Sequence, residues 1–476
     1  MKQVPAFILL FICIFCVSSY DARGESVIRN QSETAILKLD IISSVSIAVS
    51  NSYELDEIKA REGLYSYAIE EKLRSFFPSF TFSYMQTDEV IKRDTDSRTS
   101  RLSMESEIAL YDGGKRSLDY DVAKLNALLA RNDYRISLNK LIVSVREAYL
   151  NLLKLKETVR IYEITLEHGM MQLEFINKEF ELGDATKLSV LEIEAKVKEI
   201  ELSLKQAVDE FEAASRKFKQ LLRINRHTPF EISGDLDNDF VIIPVSEINE
   251  EELISIALKK RKEVESSFAK YEISMRNNEM NENYFLPNIT LGLNYNLSGE
   301  EYPPKEKGWG VNIKFSSRIF GNTVSGGAGY NENGNGNSKA RSENTSVDVL
   351  NDMSYKSNLL ESRIEMSKSG DELYVMKENI AADIALLCSG IKNSWEMIGI
   401  ASRQVELYDS QLVIERLKAD MGESRRYDLL EKEMERAKAA VALLNSKIKY
   451  LTTASSLELT AGMDVDFFKN YMKSEQ

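Results

Sequence analysis

The chain has 476 residues and a net charge of −14. This acidic balance argues against a nucleic-acid-binding protein, because such surfaces neutralise phosphates with clustered Lys and Arg. The length allows two or three ordinary domains or one long repeated architecture.

The first predicted element is a secretory signal over residues 1–24. Lys2 stands in a short basic start, and an apolar run extends from Ala6 to Val17. This run is too short to span a membrane as a helix, and small residues suited to cleavage follow it. We therefore expect an exported protein. A buried N-terminal helix is the alternative.

Cysteine usage fits an exported protein without internal disulfides. Cys13 and Cys16 lie inside the signal, and Cys16 is a candidate lipidation site although the bulky Phe15 precedes it. Cys388 has no partner in the mature chain, and its apolar neighbours predict a buried thiol. After the signal no apolar run reaches about 18 residues, so a membrane-spanning part would have to consist of strands.

Two pairs of strands are predicted from alternating apolar and polar residues. They lie at about 78–86 and 101–110 and, in the second half, at about 287–297 and 309–320. The alternation suits transmembrane β-barrel strands with lipid on one face and water on the other; a soluble hairpin pair with one wet face is the alternative. A membrane barrel needs about eight strands or more, so four membranous strands would require several copies of the chain.

A long helical hairpin follows each strand pair. Apolar residues recur about every 3.5 residues between Val145 and Phe180, which is the period of a left-handed coiled coil. We predict a helix from about Lys115 to Leu182 and a returning helix from about Thr186 to Arg226. Gly183 would form the tip between them, because glycine permits the left-handed turn conformation.

The second half repeats this order of elements, which indicates an internal duplication. Its hairpin is predicted over Ile364–Met421 and Arg426–Leu457, with Gly422 at the tip. An insertion makes this half longer, and we place it in the Gly- and Asn-rich segment 321–344, whose composition predicts a flexible loop. The predicted domains are a first repeat, a linker, a second repeat and a C-terminal tail, at residues 25–227, 228–249, 250–463 and 464–476 respectively.

Several short motifs resemble those of the TolC-like outer-membrane efflux protein family. LYDGGKRSLDYDVAK (110–124) resembles the start of the family's long helix, and EEELISIALKKRKEV (250–264) resembles the short helix that opens a repeat. FLPNITLGL (285–293) resembles a strand start, and the two Gly tips resemble the family's hairpin ends. Their order and duplication extend the resemblance over essentially the whole mature chain.

The resemblance implies a mainly α fold with a small transmembrane β part. It implies a homotrimer in which four strands per chain form a twelve-stranded β-barrel in the cell outer membrane, above an α-barrel that extends into the periplasm. It also implies a passive exit duct for small molecules or proteins, in a tripartite efflux pump or a type I secretion system. The implied partners are a periplasmic adaptor (membrane-fusion) protein, an inner-membrane transporter and outer-membrane lipid.

The same resemblance assigns roles at the tips. Asp428 and Glu431 match acidic residues that line the periplasmic aperture, and their i, i+3 spacing puts them on one helix face. A solvated helix start, where acids suit the positive end of the dipole, is the alternative. Ser189 matches a position in the first tip that is commonly acidic. Ala419 and Ser424 stand where family members carry a latching Tyr and Arg, although Arg425 and Arg426 are nearby.

Aliphatic residues near the tips are candidate contacts for the adaptor, with packing inside the hairpins as the alternative. They are Leu188, Val190, Leu191, Leu429 and Leu430.

The sequence has no motif that predicts catalysis, a cofactor or a metal site. His168 and His227 lack metal-ligand spacing, and we interpret both as ordinary surface or packing residues. A second hypothesis for the function is therefore of another class: an exported structural or adhesive coiled-coil protein with a soluble β module.

Overall fold

The structure is a computed structural model that describes residues 37–89, 97–234, 249–421 and 423–462. The predicted signal with Cys13 and Cys16, the tail 464–476, most of the linker 228–249 and the second tip residue Gly422 lie outside the described residues.

Eight α-helices and eight strands are described. The helices are α1 (Ile41–Ser50), α2 (Tyr53–Arg74), α3 (Lys115–Leu182), α4 (Lys187–Leu221), α5 (Glu250–Lys260), α6 (Lys262–Glu282), α7 (Tyr355–Asp420) and α8 (Arg426–Thr460). The strands are β1 (Leu37–Leu39), β2 (Ser79–Glu89), β3 (Ser97–Tyr111), β4 (Phe230–Ile232), β5 (Asn288–Gly299), β6 (Glu306–Ile319), β7 (Asn322–Asn333) and β8 (Ser338–Asp348). A short 3-10 helix, Asn283–Phe285, precedes β5.

The two long hairpins dominate the molecule. Helix α3 has 68 residues and α7 has 66, so each is about 100 Å long at 1.5 Å per residue. Helices α4 and α8 return over 35 residues each. Among the helices in the described parts of the chain, none is both long enough and apolar enough to cross a membrane.

A carboxylate fixes the start of α3. Asp112 accepts hydrogen bonds from the backbone nitrogens of Gly114 and Arg116, at 3.2 and 3.0 Å, and from Nε of Arg116 at 2.8 Å. These contacts satisfy amide groups that have no partner inside the helix. The DGGKR motif therefore acts as a helix cap, which accounts for the abrupt change from strand to helix.

Buried apolar side chains form separate clusters along the hairpins. The largest cluster packs β1, β4 and α1 onto α3 and α4, with Tyr149 and Phe218 at its centre and Ile448 of α8 at its edge. A second cluster joins α5 to α7 and α8 and includes the buried Cys388. A third lies near the hairpin tips. Helix-to-helix packing, distributed along the rods, therefore provides the core.

The sheet contains six strands in the order β2-β3-β5-β6-β7-β8, all antiparallel. The prediction of four strands is therefore wrong in number, although the four predicted segments are all strands. The predicted flexible loop at 321–344 is also corrected, because this segment forms β7 and most of β8. Strand β7 pairs with β6 from Trp309↔Glu332 to Ile319↔Asn322, so the insertion extends the sheet.

One face of the sheet is apolar and exposed. Directly opposed residues on that face include Phe82 with Met104, and Tyr295 with Trp309. All four side chains are exposed to the surroundings of the single chain. The other face carries amides, hydroxyls and charged groups, including an ion pair of 3.6 Å between Lys314 and Glu107. The mainly helical fold with an amphipathic strand part is confirmed.

Candidate functional site at the hairpin tips

The first tip closes through its own backbone and a local cap. Gly183 adopts a left-handed conformation with φ 87°, which a residue with a Cβ rarely takes. The amide of Asp184 donates to the carbonyl of Glu179 at 2.8 Å, which ends α3. Thr186 caps α4 by accepting from the amide of Ser189 at 3.1 Å. The predicted tip residue and cap are therefore placed as the sequence suggested.

The second tip uses charged side chains in place of a hydroxyl cap. Arg425 precedes α8 without a side-chain capping hydrogen bond. Its guanidinium instead donates to the carboxylate of Asp428 at 3.0 and 3.3 Å. The Ser424 hydroxyl donates to Glu415 of α7, which ties the turn to the descending helix. Polar side chains of the turn therefore contact both α7 and α8.

The two tips pack against each other inside one chain. Leu430 and Met434 of α8 are buried together with Ile193, Val197 and Ile200 of α4. Gly169 of α3 lies under this contact, because a Cβ added there would meet Leu430, Val197 and Ile200 at about 3.4–3.5 Å. Helix α8 thus occupies the groove between α3 and α4.

Arg426 joins the second hairpin to the first. Its Nε lies 2.7 Å from Oε1 of Glu179, and its Nη1 donates to Oε1 of Gln172 at 3.3 Å. The guanidinium also lies 4.9 Å from the ring centroid of Phe175, within the range of a cation–π contact. All three partners are on α3, so one side chain holds the start of α8 against the end of the first long helix.

Of the three predicted aperture residues, Asp428 is paired with a basic side chain of the same chain. Asp428 is paired with Arg425, and this hydrogen bond raises the pKa of the Arg425 guanidinium. The charge of Glu431 contributes to the pKa of Lys196 on α4. Burial lowers the pKa of Lys196, but a hydrogen bond to Glu199 and the charges of Glu199, Tyr427 and Glu431 outweigh that effect and raise it. Ser189, the third predicted aperture residue, is engaged in the Thr186 cap.

The five candidate adaptor contacts fall into two groups. Leu188 and Leu191 are 65% and 50% exposed, and Val190 is half-buried against the tip cluster. Leu429 and Leu430 are 3% and 0% exposed. The expectation for Leu429 and Leu430 is corrected, because they pack into the hairpin interior and present no surface to another protein.

Further polar contacts within and between the hairpins lie above the tips, around Glu433 and Glu199. The carboxylate of Glu433 on α8 is almost fully buried and accepts from Arg416 of α7 at 3.0 Å. His168 of α3 approaches the same oxygen at 3.4 Å. Lys438 of α8 lies 3.5 Å from Glu199 of α4. The two hairpins are therefore joined by polar contacts as well as by apolar packing.

The described residues give no sign of a metal centre. Among them no three His, Cys, Asp or Glu side chains are grouped as ligands for an ion. The ring of His227 accepts from Nε of Arg226 at 3.0 Å, far along the chain from the other histidine. These contacts fit the interpretation of both histidines as packing or surface residues.

Sequence reasoning missed Arg426 as the joint between hairpins. Its partner Glu179 lies 247 positions earlier in the chain. The only available signal was the pair Arg425-Arg426 directly after the tip, and the sequence could not distinguish which of the two reaches across.

Comparison with known proteins finds similarity to an outer-membrane efflux family and to a secretion protein. The family model described as outer membrane efflux protein matches residues 45–222, essentially α1 to α4. The alkaline protease secretion protein AprF of Pseudomonas aeruginosa is 25% identical over 234 residues, which cover 48% of this chain and 47% of that protein. The chain thus spans about half the length of this curated relative.

Solved structures share the fold over most of the chain. The outer-membrane channel OprN is 15% identical with a TM-score of 0.71, covering 89% of each chain. The CmeC outer membrane channel of Campylobacter jejuni is 15% identical with a TM-score of 0.70, covering 92% of this chain and 89% of that one. The MtrE outer membrane channel of Neisseria gonorrhoeae is 13% identical with a TM-score of 0.71, covering 89% of each chain. At these identities the likeness is one of fold.

Proposed function

We infer that this chain is one third of an outer-membrane export conduit, and the family match over residues 45–222 and the shared fold support this inference. One observation carries the proposal: a sheet with an exposed apolar face is joined to two packed hairpins whose long helices are each about 100 Å long. A lipid-facing wall and a tunnel wall are the two parts that such a conduit needs.

The sheet supplies the membrane part of the proposal. Its apolar face carries large side chains that are exposed in the single chain, including Phe80, Leu293, Trp309 and Ile313. Contiguous apolar surface of this kind marks a contact with a membrane or a partner. Tyr and Trp on the same face suit a bilayer interface. We place the sheet in the outer membrane and the hairpins in the periplasm.

The hairpins supply the tunnel. Their seams repeat with the period of a coiled coil, and many large apolar side chains on α7 remain exposed in one chain, including Leu386, Ile400 and Val413. A ring of three copies would cover such residues with neighbouring helices. The same ring would enclose an aqueous passage that requires no catalytic step, cofactor or metal.

The tips form the gate at the periplasmic end. Three copies would bring three Asp428–Glu431 pairs together at the narrowest point, where carboxylates favour cations. Arg426 would hold each second hairpin against the first and so keep the aperture narrow. Outward movement of α8 would break the contacts of Arg426 with Glu179 and Gln172 while the rest of the rod stays packed.

The partners follow from this placement. The exposed Leu188 and Leu191 at the first tip suit an apolar contact with a periplasmic adaptor, which would connect the conduit to an inner-membrane transporter. The relative AprF is a secretion protein and the matched family is one of efflux. We accordingly propose a passive duct for an efflux pump or a type I secretion system, carrying small molecules or proteins.

The test is reconstitution of the full chain. Protein extracted from outer membranes with detergent is expected to form discrete ion-conducting channels in a planar bilayer, and detergent-free buffer should not release it. A protein that stays soluble after signal removal, without channel activity, would contradict the proposal. That outcome would favour the exported structural or adhesive coiled-coil protein.

A further inference from the structure

The inserted hairpin β7–β8 is built into the sheet through close side-chain packing. Asn331 of β7 lies over Gly310 of β6, and a Cβ at Gly310 would overlap the amide oxygen of Asn331. Nδ2 of Asn294 on β5 donates to the same oxygen at 3.4 Å, across the intervening strand. Strands β5, β6 and β7 are therefore joined on the polar face, where Asn294 and Asn331 occupy the space that the missing side chain of Gly310 leaves.

The apolar face also continues into the insertion. Tyr330 of β7 lies directly opposite Val311, and its ring centroid is 5.3 Å from that of Trp309. Val324 of β7 lies opposite Val347 of β8 on the same face. The β7–β8 hairpin therefore has one polar and one apolar face, like the rest of the sheet.

Strands β2 and β8 are the two edges of the described sheet, and their lengths and directions suit antiparallel pairing with each other. Each has 11 residues. Because six antiparallel strands separate them by an odd number of steps, they run in opposite directions. Edge strands present a row of backbone donors and acceptors that can pair with another chain. The edge β8 of one copy can thus pair antiparallel with β2 of the next.

The side chains select one register for this pairing. Strand β8 carries three charged residues on the otherwise apolar face, Lys339, Arg341 and Glu343. Full overlap of the two strands keeps both faces aligned and sets these residues opposite Asp88, Gln86 and Tyr84 respectively. Each charged group then gains a polar partner, and the lower part of the seam sets Val347 opposite Phe80.

We propose that β8 pairs with β2 of a second copy in this register, from Asp348 opposite Ser79 to Lys339 opposite Asp88. The inference rests on the proposed trimeric conduit and specifies its wall. Three copies of a six-stranded sheet make a barrel of 18 strands, where the family resemblance alone implies twelve. Membrane barrels of this size occur. The insertion is therefore the seam between subunits.

The register gives a barrel of ordinary geometry. A row of directly opposed residues runs through Phe82, Met104, Tyr295, Trp309, Glu332 and Lys339. Across the seam this row continues at Asp88, so it advances from position 82 to position 88 over six strands. A stagger of one residue per strand, with about 3.4 Å per residue and about 4.8 Å between strands, tilts the strands by about 35°. This value lies at the lower end of the usual range for barrels.

The seam also completes an alternation of charge. Lys339 lies 3.9 Å from Glu332 within one copy, and Asp88 lies 3.2 Å from Arg98. Pairing of the edges would set these residues side by side as acid, base, acid and base on four successive strands. The opposite charges favour this register over a shift of two residues that would set Lys339 opposite Gln86. A shift in the other direction would set Arg341 opposite Asp88 but would leave Lys339 past the end of β2.

Disulfide cross-linking in the full-length protein tests the seam. Ser83→Cys and Asn344→Cys are directly opposed on the polar face in the proposed register, and opposed residues in a sheet have Cα atoms close enough for a disulfide. A mild oxidant should convert this double variant into covalent dimers and trimers in outer membranes. The pair Thr81→Cys with Ser346→Cys should behave alike, which guards against a folding defect in the first.

Matched variants distinguish the outcomes. Ser83→Cys with Ala340→Cys is out of register by four residues and should not cross-link, and Ser83→Cys alone controls for the buried Cys388. Cross-linking of Ser83→Cys to Asn312→Cys on β6 in place of both β8 pairs would show a twelve-stranded wall and overturn the proposal. So would trimers, sized in detergent without oxidant, that cross-link in neither β8 pair. A protein that forms no trimer at all would instead refute the proposed function.

Discussion

The two halves of the chain build the same rods but finish them differently. Helices α3 and α7 differ by two residues, and both return helices have 35. At the sheet end the first half supplies two strands and the second half four. At the tip end the first half closes through Gly183 and Thr186, while the second reaches across through Arg426. The two hairpins pack against each other, so their helices have similar lengths. Their ends have no such constraint and can differ in structure and role.

The largest effect is expected where the second half exceeds the first, at the extra strands. Gly310→Val would drive a branched side chain into Asn331 and Asn294, so β7 and β8 should separate from the sheet. We expect this variant to lose the proposed trimer, as measured by the size of the detergent-extracted particle. Gly399→Ala is the control, because no other part of the described structure lies within 4 Å of its added Cβ and alanine favours the helix by about 1 kcal/mol. A normal assembly of Gly310→Val would show that the insertion is not part of the wall.

The next largest effect concerns packing between the halves at the tips. Leu430→Ala should lower the free energy of unfolding by about 2–5 kcal/mol, because it leaves a cavity among Ile193, Val197 and Ile200. Leu188→Ala, on an exposed side chain, should change it by no more than about 0.5 kcal/mol. Denaturation followed by circular dichroism in detergent measures both. Equal losses of unfolding free energy in the two variants would contradict the assignment of Leu430 as buried and Leu188 as exposed.

A smaller and more specific effect is expected from the joint between the halves. Arg426→Ala removes the contacts with Glu179 and Gln172, so the aperture should open and single-channel conductance should rise several-fold. Arg436→Ala is the matched control, since its 2.8 Å pair with Asp409 lies within the second hairpin. Conductance that rises equally in both variants would point to general loosening of the rods.

The smallest effect is expected from the aperture acids. Asp428→Ala together with Glu431→Ala should reduce cation preference and cation block only modestly, because Arg425 already pairs with Asp428. Arg425→Gln frees Asp428 and should increase cation preference. Reversal potentials in a salt gradient measure both directions. Identical values in all three proteins would remove Asp428 and Glu431 from the narrow point.

Local periodicity was enough to predict the rods and four of the strands. The sequence placed the first long helix at Lys115–Leu182, which coincides with α3, because the apolar seam is regular and a capping motif and a glycine bound it. The inserted strands escaped detection because Gly326 and Ala328 occupy apolar-face positions of β7 and charged residues occupy those of β8. Their alternation is real but is carried by small or polar side chains.

The site was less accessible to prediction because its contacts join distant parts of the chain. The pattern at the second tip could not tell that Leu430 would be covered, since the covering residues belong to α3 and α4. The same holds for Arg426, whose role depends on Glu179 in the other half. Turn geometry, in contrast, is local, and Gly183 and Thr186 were found from the sequence.

The number of copies in the detergent-extracted particle tests the central claim most directly. Native mass measurement of the full-length protein should give three copies, since both the sheet edges and the exposed faces of the rods are then satisfied by neighbouring subunits. A single folded copy that is stable in buffer without detergent would contradict the account.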